Sequence, residues 1–310
     1  MKFPFEFATE RQFDVVGFGT NAVDFLITVP KFPMFGSKIE LVDYAQAPGG
    51  EVATTMVGLQ RLGLKTAYIG RFGDDDAGKL GSRSLGVEGV DIAFAEIVAG
   101  ARTQIAFIVI DAESGERTVI WKRDVRLSYT ADEAPIHLAR ECRLLHLTPH
   151  DVDACVAFAR HAKACGTVVS MDIDNLFDGI NDLLPLVDVL IASSDLPERI
   201  TGISDRERSL ATMQDKFGCA VVGVTLGDRG SLLRCNGEFI YSDGFAVPGG
   251  CKDTTGAGDS FRVGLIYGIL SGKDLVESSR MANAVAALKC RSVGARTSLP
   301  SPDELHNFVS

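Results

Sequence analysis

From residue 144 onward the chain alternates short apolar runs with helical patterns, and this alternation limits its possible folds more than any other feature. Leu144 to Leu147, Thr167 to Ile173, Val187 to Ala192 and Cys219 to Thr225 have the length and apolar content of buried strands. Between them, Asp151 to Cys165 sets Val152, Cys155, Val156 and Phe158-Ala159 at helical spacing with Gly166 as a stop. Arg206 to Phe217 ends in the same way at Gly218. Strands that are apolar throughout must be covered on both faces, so repeated β-α units predict an α/β fold: a doubly wound, mostly parallel sheet flanked by helices. Phe13 to Gly19 and Lys65 to Gly70 read as further strands of that sheet, joined through a helix with Val52, Met56, Leu59 and Leu62 on one face.

The alternation fails in two places. Ser37 to Ala45 reads as strand, and Gln104 to Lys122 holds two strand-like runs around the turn Glu113-Ser114-Gly115-Glu116 with no helix between them. Consecutive strands predict a small β-sheet lid. We expect lid segments at 25–50 and 100–125, inserted in a single domain spanning 1–310 and lying over the carboxyl ends of the main strands, where open α/β sheets bind ligands. Asn236-Gly237, between two further strand-like runs, is the pair a type I′ hairpin turn demands.

Composition narrows the function. With 310 residues, 46% of apolar type, the chain can bury a sizeable core. A net charge of -10 argues against nucleic acid or an anionic membrane as partner and favours a small diffusing molecule. The first residues lack an apolar run after Lys2, and no stretch of about 18 uncharged apolar residues occurs, so the expected location is the cytoplasm. Seven cysteines, odd in number and without a C-x-x-C pair, read as reduced core thiols.

The segment richest in chemistry is Asp253-Thr254-Thr255-Gly256-Ala257-Gly258-Asp259-Ser260-Phe261, which runs into Val263, Leu265-Ile266 and Ile269-Leu270 at helical spacing. Small residues at a helix start leave backbone N–H groups open at the positive end of the helix dipole, where phosphate binds. Phosphoryl transfer also asks for a carboxylate able to take the attacking hydroxyl's proton. Asp259 stands in that place, and at a helix start its carboxylate is expected to stay ionised. The plainer alternative makes Asp259 an N-cap and the glycines a tight turn.

This run resembles the signature of the ribokinase-like (PfkB-type) carbohydrate kinases, and the resemblance extends over nearly the whole chain. Pro48-Gly49-Gly50 before a helix ending Arg61-Leu62-Gly63, with Gly70 to Gly78 after it, is similar to that family's amino-terminal signature. Thr225 to Ser231 resembles its nucleotide loop, and Ala282-Asn283-Ala284 with Gly294 its adenine-side helix and closing loop. The resemblance implies an ATP-dependent kinase with magnesium as cofactor; exposed lid strands would favour a homodimer that pairs or covers them through the lid. Asp259 would be the base and Gly256, Ala257 and Gly258 the anion hole. Thr225, Gly227, Gly230, Ser193 and Asn283 would meet ATP; Asp24, Gly49, Gly50 and Thr54 would meet a sugar. Asp253, Thr255 and Gly294 resemble a potassium site, and a loop-capping Asp253 explains the same residues. Glu51 and Thr54 stand where family members often carry Asn, which puts ribose itself in question; Ser193 and Leu196 likewise replace an Asn-x-x-Glu that helps place magnesium.

Other readings compete. Gly17-Phe18-Gly19-Thr20-Asn21-Ala22 matches a dinucleotide fingerprint, but the β-like Phe25 to Val29 and then Pro30 and Pro33 follow where a helix must open. His146 and His150 have zinc-like spacing, which Pro149 keeps off a common helical face. Asp172 and Asp174 share one side of a strand end, as a substrate wall or a structural pair. Lys122, Arg123 and Arg126 form either an edge-strand charge guard or a clamp through Arg123 for an anionic sugar. Within kinases the alternative acceptors are nucleosides and phosphosugars; outside them the alternative is a nonenzymatic sugar-binding protein.

Overall fold

The computed structural model describes residues 3–310. In chain order its first half comprises β1 (Phe13–Phe18), β2 (Ala22–Val29), β3 (Asp43–Gly49), α1 (Glu51–Arg61), β4 (Thr66–Ile69), β5 (Arg71–Gly73), α2 (Asp76–Val87), β6 (Glu96–Val98), β7 (Ile105–Asp111) and β8 (Arg117–Lys122). The second half comprises β9 (Cys142–Leu147), α3 (Val152–Ala164), β10 (Val168–Ile173), α4 (Ile180–Leu183), β11 (Val189–Ala192), α5 (Leu196–Thr201), α6 (Arg206–Phe217), β12 (Val221–Thr225), β13 (Ser231–Cys235), β14 (Glu238–Ser242), α7 (Ala257–Leu270), α8 (Leu275–Lys289) and α9 (Pro302–Val309).

The expected doubly wound sheet is present. Its order is β14-β13-β12-β11-β10-β9-β1-β4, parallel from β12 to β4 and closed at the other edge by the antiparallel β13–β14 hairpin. Successive residues of each strand serve opposite faces, which is why β1 sends Val16 and Phe18 into one core and Val15 into the other. One core packs Phe158, Leu183 and Leu210 of α3, α4 and α6; the other packs Met56, Val263, Val285 and Leu305 of α1, α7, α8 and α9. Burying a side chain such as Phe158 contributes about 1.5–3 kcal/mol. The β13–β14 turn has Asn236 at φ 50° and Gly237 at φ 80°, as its Asn-Gly sequence requires.

A separate sheet of order β3-β2-β7-β8 is built from the stretches that broke the alternation. β3 starts at Asp43, not at Ser37: Pro30 ends β2, so Thr28 pairs with Asp43 and takes the Val42 N–H at 2.9 Å, and β2 does not extend far enough to pair residues 37–41. β2 continues directly from the Gly17 to Ala22 turn, so the dinucleotide fingerprint opens a strand and not a helix. The two-stranded β5–β6 sheet was not anticipated, its strands being only three residues long. All seven cysteines are free; five are buried, whereas Cys165 is half-buried and Cys251 exposed, because Cys251 lies in the loop before α7 rather than in a strand or helix. No helix among the described residues is long and apolar enough to cross a membrane.

Candidate active site

A cavity of about 450 Å³ separates the carboxyl ends of the main sheet from the second sheet. Thr20, Glu51, Asp172, Ser193 and Thr225 line its floor, Thr255, Gly256, Gly258 and Asp259 one wall, and Asp24, Ile108, Arg117 and Trp121 its roof. A larger hollow of about 740 Å³ opens beside α2, lined by Phe25, Asp75, Arg102, Arg123 and Asp124. There the carboxylates are already spent on structure: Asp75 caps α2 and holds Thr103, and Asp124 holds Arg126 and the Arg102 N–H. The smaller cavity gathers most of the candidate residues, Asp259 among them.

Its wall is the start of α7. Gly256 is the N-cap at φ 75°, and an added Cβ there would lie 2.8 Å from Cβ of Ala295. No side chain caps this helix. The Ala257 N–H donates to the Thr254 carbonyl at 3.1 Å, and the helical ladder starts with the Ser260 N–H on the Gly256 carbonyl at 2.9 Å. The amides of Gly258 and Asp259 are thereby left for a ligand. Asp259 is in the first turn and is not the N-cap. Its expected ionisation is corrected too: burial, with the charge of Asp172 beside it, raises its carboxyl from 3.8 to about 7. Desolvation outweighs the helix dipole that motivated the expectation.

The same cause acts on its neighbours. Asp172 is raised to about 6 by burial although Arg262 pairs with it, and that guanidinium also donates to the Ile191 carbonyl at 3.0 Å. Glu51 is raised well above its ordinary value by burial and by Asp174, Asp172 and Asp259; its 31% of exposed side-chain surface faces the cleft, and Thr20 donates to it at 3.3 Å. Asp24 is raised to about 6 by burial against the opposing pull of Arg296. Gly49 is required beside it, since a Cβ at 49 would fall 2.0 Å from Oδ2 of Asp24. His150 is lowered to about 4 by burial and Arg123, so it stands neutral next to Glu51. His146 is wholly buried, lowered to about 3 by desolvation and set against Ser170 within the sheet.

A family model described as pfkB family carbohydrate kinase matches residues 12–302. The chain belongs to that family. This carbohydrate kinase is 29% identical over 302 residues to a ribokinase of Haemophilus influenzae, covering 94% of this chain and 96% of the relative. It is 30% identical to fructokinase-1 of Zea mays over 95% and 97% of the two chains, and 26% identical to a nucleoside kinase of Methanothermobacter thermautotrophicus over 94% of each. In fold it is similar to a crystal structure titled as a putative ribokinase from Agrobacterium tumefaciens, with TM-score 0.88, 22% identity and coverage of 96% and 97%.

Of the residues singled out in the kinase sequence, Asp24, Gly50, Ser193, Thr225, Thr255, Gly256, Gly258 and Asp259 line the cavity together. Others stand behind it. Thr54 is buried in α1 and accepts from Arg296 at 3.3 Å. Gly227 and Gly230 shape the turn after β12, and the Asn283 amide is spent on Ser231 and the Ser242 carbonyl, each at 3.1 Å. Arg123 lines the neighbouring hollow and not this cavity: both carboxylate oxygens of Asp151 hold its guanidinium at 2.8 Å, with Ser128 and the Leu127 carbonyl taking further N–H groups. The cation in the roof is instead Arg117, which donates to Thr254 at 2.8 Å and so ties β8 to the loop before α7. Arg117, Val119 and Trp121 all line the cavity and were missed in the sequence; their period-two spacing within β8 is the signal by which they could have been found. Asp253 caps the loop, accepting from the N–H groups of Thr255 and Gly294 at 2.8 Å each.

Proposed function

We propose that this kinase moves the γ-phosphate of ATP onto a hydroxyl of a small, neutral, sugar-like acceptor in the 450 Å³ cavity. The observation that carries the reading is a carboxylate raised to about 7 in the first turn of a helix whose free amides face the same space. The acceptor hydroxyl gives its proton to Asp259 as its oxygen bonds to the γ-phosphorus; the bond from that phosphorus to the bridging oxygen breaks, and ADP leaves. Gly256 and Gly258, with the first-turn amides, hold the migrating group, while Asp24 and Glu51 receive acceptor hydroxyls. Thr225 and Ser193, at the ends of β12 and β11, face the nucleotide, and Gly227, Gly230 and Asn283 shape the turn and the α8 contact beside it. The second sheet acts as a lid that keeps water from the phosphoryl group.

Magnesium is expected with the nucleotide rather than in a protein cage, because no cluster of three metal-binding side chains is found among the described residues. Asp24, Glu51, Asp172, Asp174 and Asp259 make the acceptor side acidic, which weighs against phosphosugars. Trp121, His150 and Phe177, with ring centroids 6.1 and 5.2 Å apart along the series, support a nucleoside as the second reading, its base resting on them. The outer lid face carries Phe25, stacked on Phe107 at 5.0 Å, with Tyr44 and Ile120 exposed beside them, and a second copy of the chain is the proposed cover. The test is ATP consumption against neutral sugars, sugar acids, phosphosugars and nucleosides. A neutral sugar or nucleoside is expected to be turned over; a protein that melts higher with sugar yet consumes no ATP would be a binder, and preference for a phosphosugar would overturn the acceptor assignment.

A further inference from the structure

The residues that resemble a potassium site do not fit a resident metal ion. Both Asp253 carboxylate oxygens already accept backbone N–H groups, and the ammonium of Lys289, from the last turn of α8, stands 3.7 Å from Oδ2. Lys289 also donates to the Asp253 carbonyl at 2.7 Å, and both side chains are wholly shielded from solvent. A charged amine held in such a place persists only when paired, and a second cation beside the same carboxylate would meet its repulsion. Asp253 fastens Thr255 on the cleft wall to Gly294 on the closing loop, so the cation that neutralises it sets the position of the phosphate-holding amides.

We propose that Lys289 is this kinase's own tethered monovalent cation: its ammonium does covalently what a bound potassium ion would do, and the enzyme is independent of added potassium. Lys289 is a positioning residue, acting through Asp253 and the loop before α7. The proposal rests on the kinase reading, so the experiment follows turnover, nucleotide affinity and melting temperature side by side, in potassium chloride and in tetramethylammonium chloride of equal ionic strength. Wild type is expected to change by less than about twofold in kcat and in nucleotide affinity between the two salts, whereas Lys289→Ala in tetramethylammonium loses roughly tenfold or more in kcat with a smaller change in acceptor KM. Potassium, ammonium or methylammonium is expected to restore part of that loss, which a merely structural lysine would not allow. Activation of wild type by potassium of tenfold or more would overturn the proposal, as would a soluble Lys289→Ala protein with unchanged kcat. Should Lys289→Ala fail to fold, the salt response of wild type still decides. Should no acceptor be phosphorylated, the kinase reading fails by itself, and the potassium response of nucleotide affinity and melting temperature decides this one.

Discussion

Asp253 stands in the loop before α7 and Asp259 in the first turn of that helix, and the proposed reading puts them to opposite uses. Asp253 is wholly buried, with an N–H on each oxygen and an ammonium beside it. Asp259 faces the cavity with like charges around it, Asp172 foremost, and burial drives its proton affinity up. A carboxylate bonded by backbone N–H groups at both oxygens and paired with a buried ammonium serves to hold the fold together. One left without protein partners in an acidic cleft retains lone pairs for an incoming proton, the role proposed for Asp259.

Exchanging the two carboxylates separately is the sharpest way to break this contrast. Asp259→Asn is expected to lower kcat by about 10³-fold while ATP affinity and melting temperature stay near wild type, since general-base catalysis supplies about 10²–10⁴-fold; steady-state kinetics beside a thermal melt checks it, and a near-native rate would remove the base. Asp253→Ala is expected to do the reverse in emphasis. It leaves the Lys289 ammonium buried without its counter-ion, a loss of about 3–5 kcal/mol in stability, to be read from denaturant unfolding.

The pH response sharpens the same distinction. Asp259 is raised from 3.8 to about 7, so the folded chain holds a proton that the unfolded chain has released between those values. Its contribution to stability is therefore greatest below pH 4 and is lost as pH rises through 7, while kcat/KM, which needs the base deprotonated, rises over the same window. Asp24 and Asp172, each raised to about 6, add to the stability trend in the same direction. Activity and stability are thus expected to move oppositely between pH 5 and 8, and Asp259→Asn is expected to flatten the upper part of the stability curve; parallel pH profiles of rate and melting temperature check this. The smallest effect expected is at Gly49→Ala, whose methyl group would push against the Asp24 carboxylate and raise acceptor KM by about tenfold with kcat less affected.

Much of this was legible in the residues themselves. Apolar runs such as Leu144 to Leu147 and the helical spacing of Val52, Met56 and Leu59 mark out the main sheet and its cover, because period and length are local properties. Asp259 and the glycines before it were visible as a motif. The proton affinity of Asp259 was not, because it depends on Asp172, which is far away in sequence and reaches it only through the parallel sheet. Arg123 and Arg117 were likewise indistinguishable as charges near a strand: one is claimed by Asp151 across the fold and the other reaches Thr254 over the cleft. Lys289 carried no signal at all, since a lysine in the last turn of a helix ordinarily points to water.

The roof strand β8 has a consequence for how such a protein can change over time. Its Arg117, Val119 and Trp121 line the candidate cavity from alternate positions of an edge strand, and none of them belongs to either of the two buried layers that hold the main sheet. Position 49, by contrast, has no room for any side chain beside Asp24. On the proposed reading, new tastes in acceptor are therefore acquired by rewriting three letters of one strand, leaving the chemistry beneath them undisturbed.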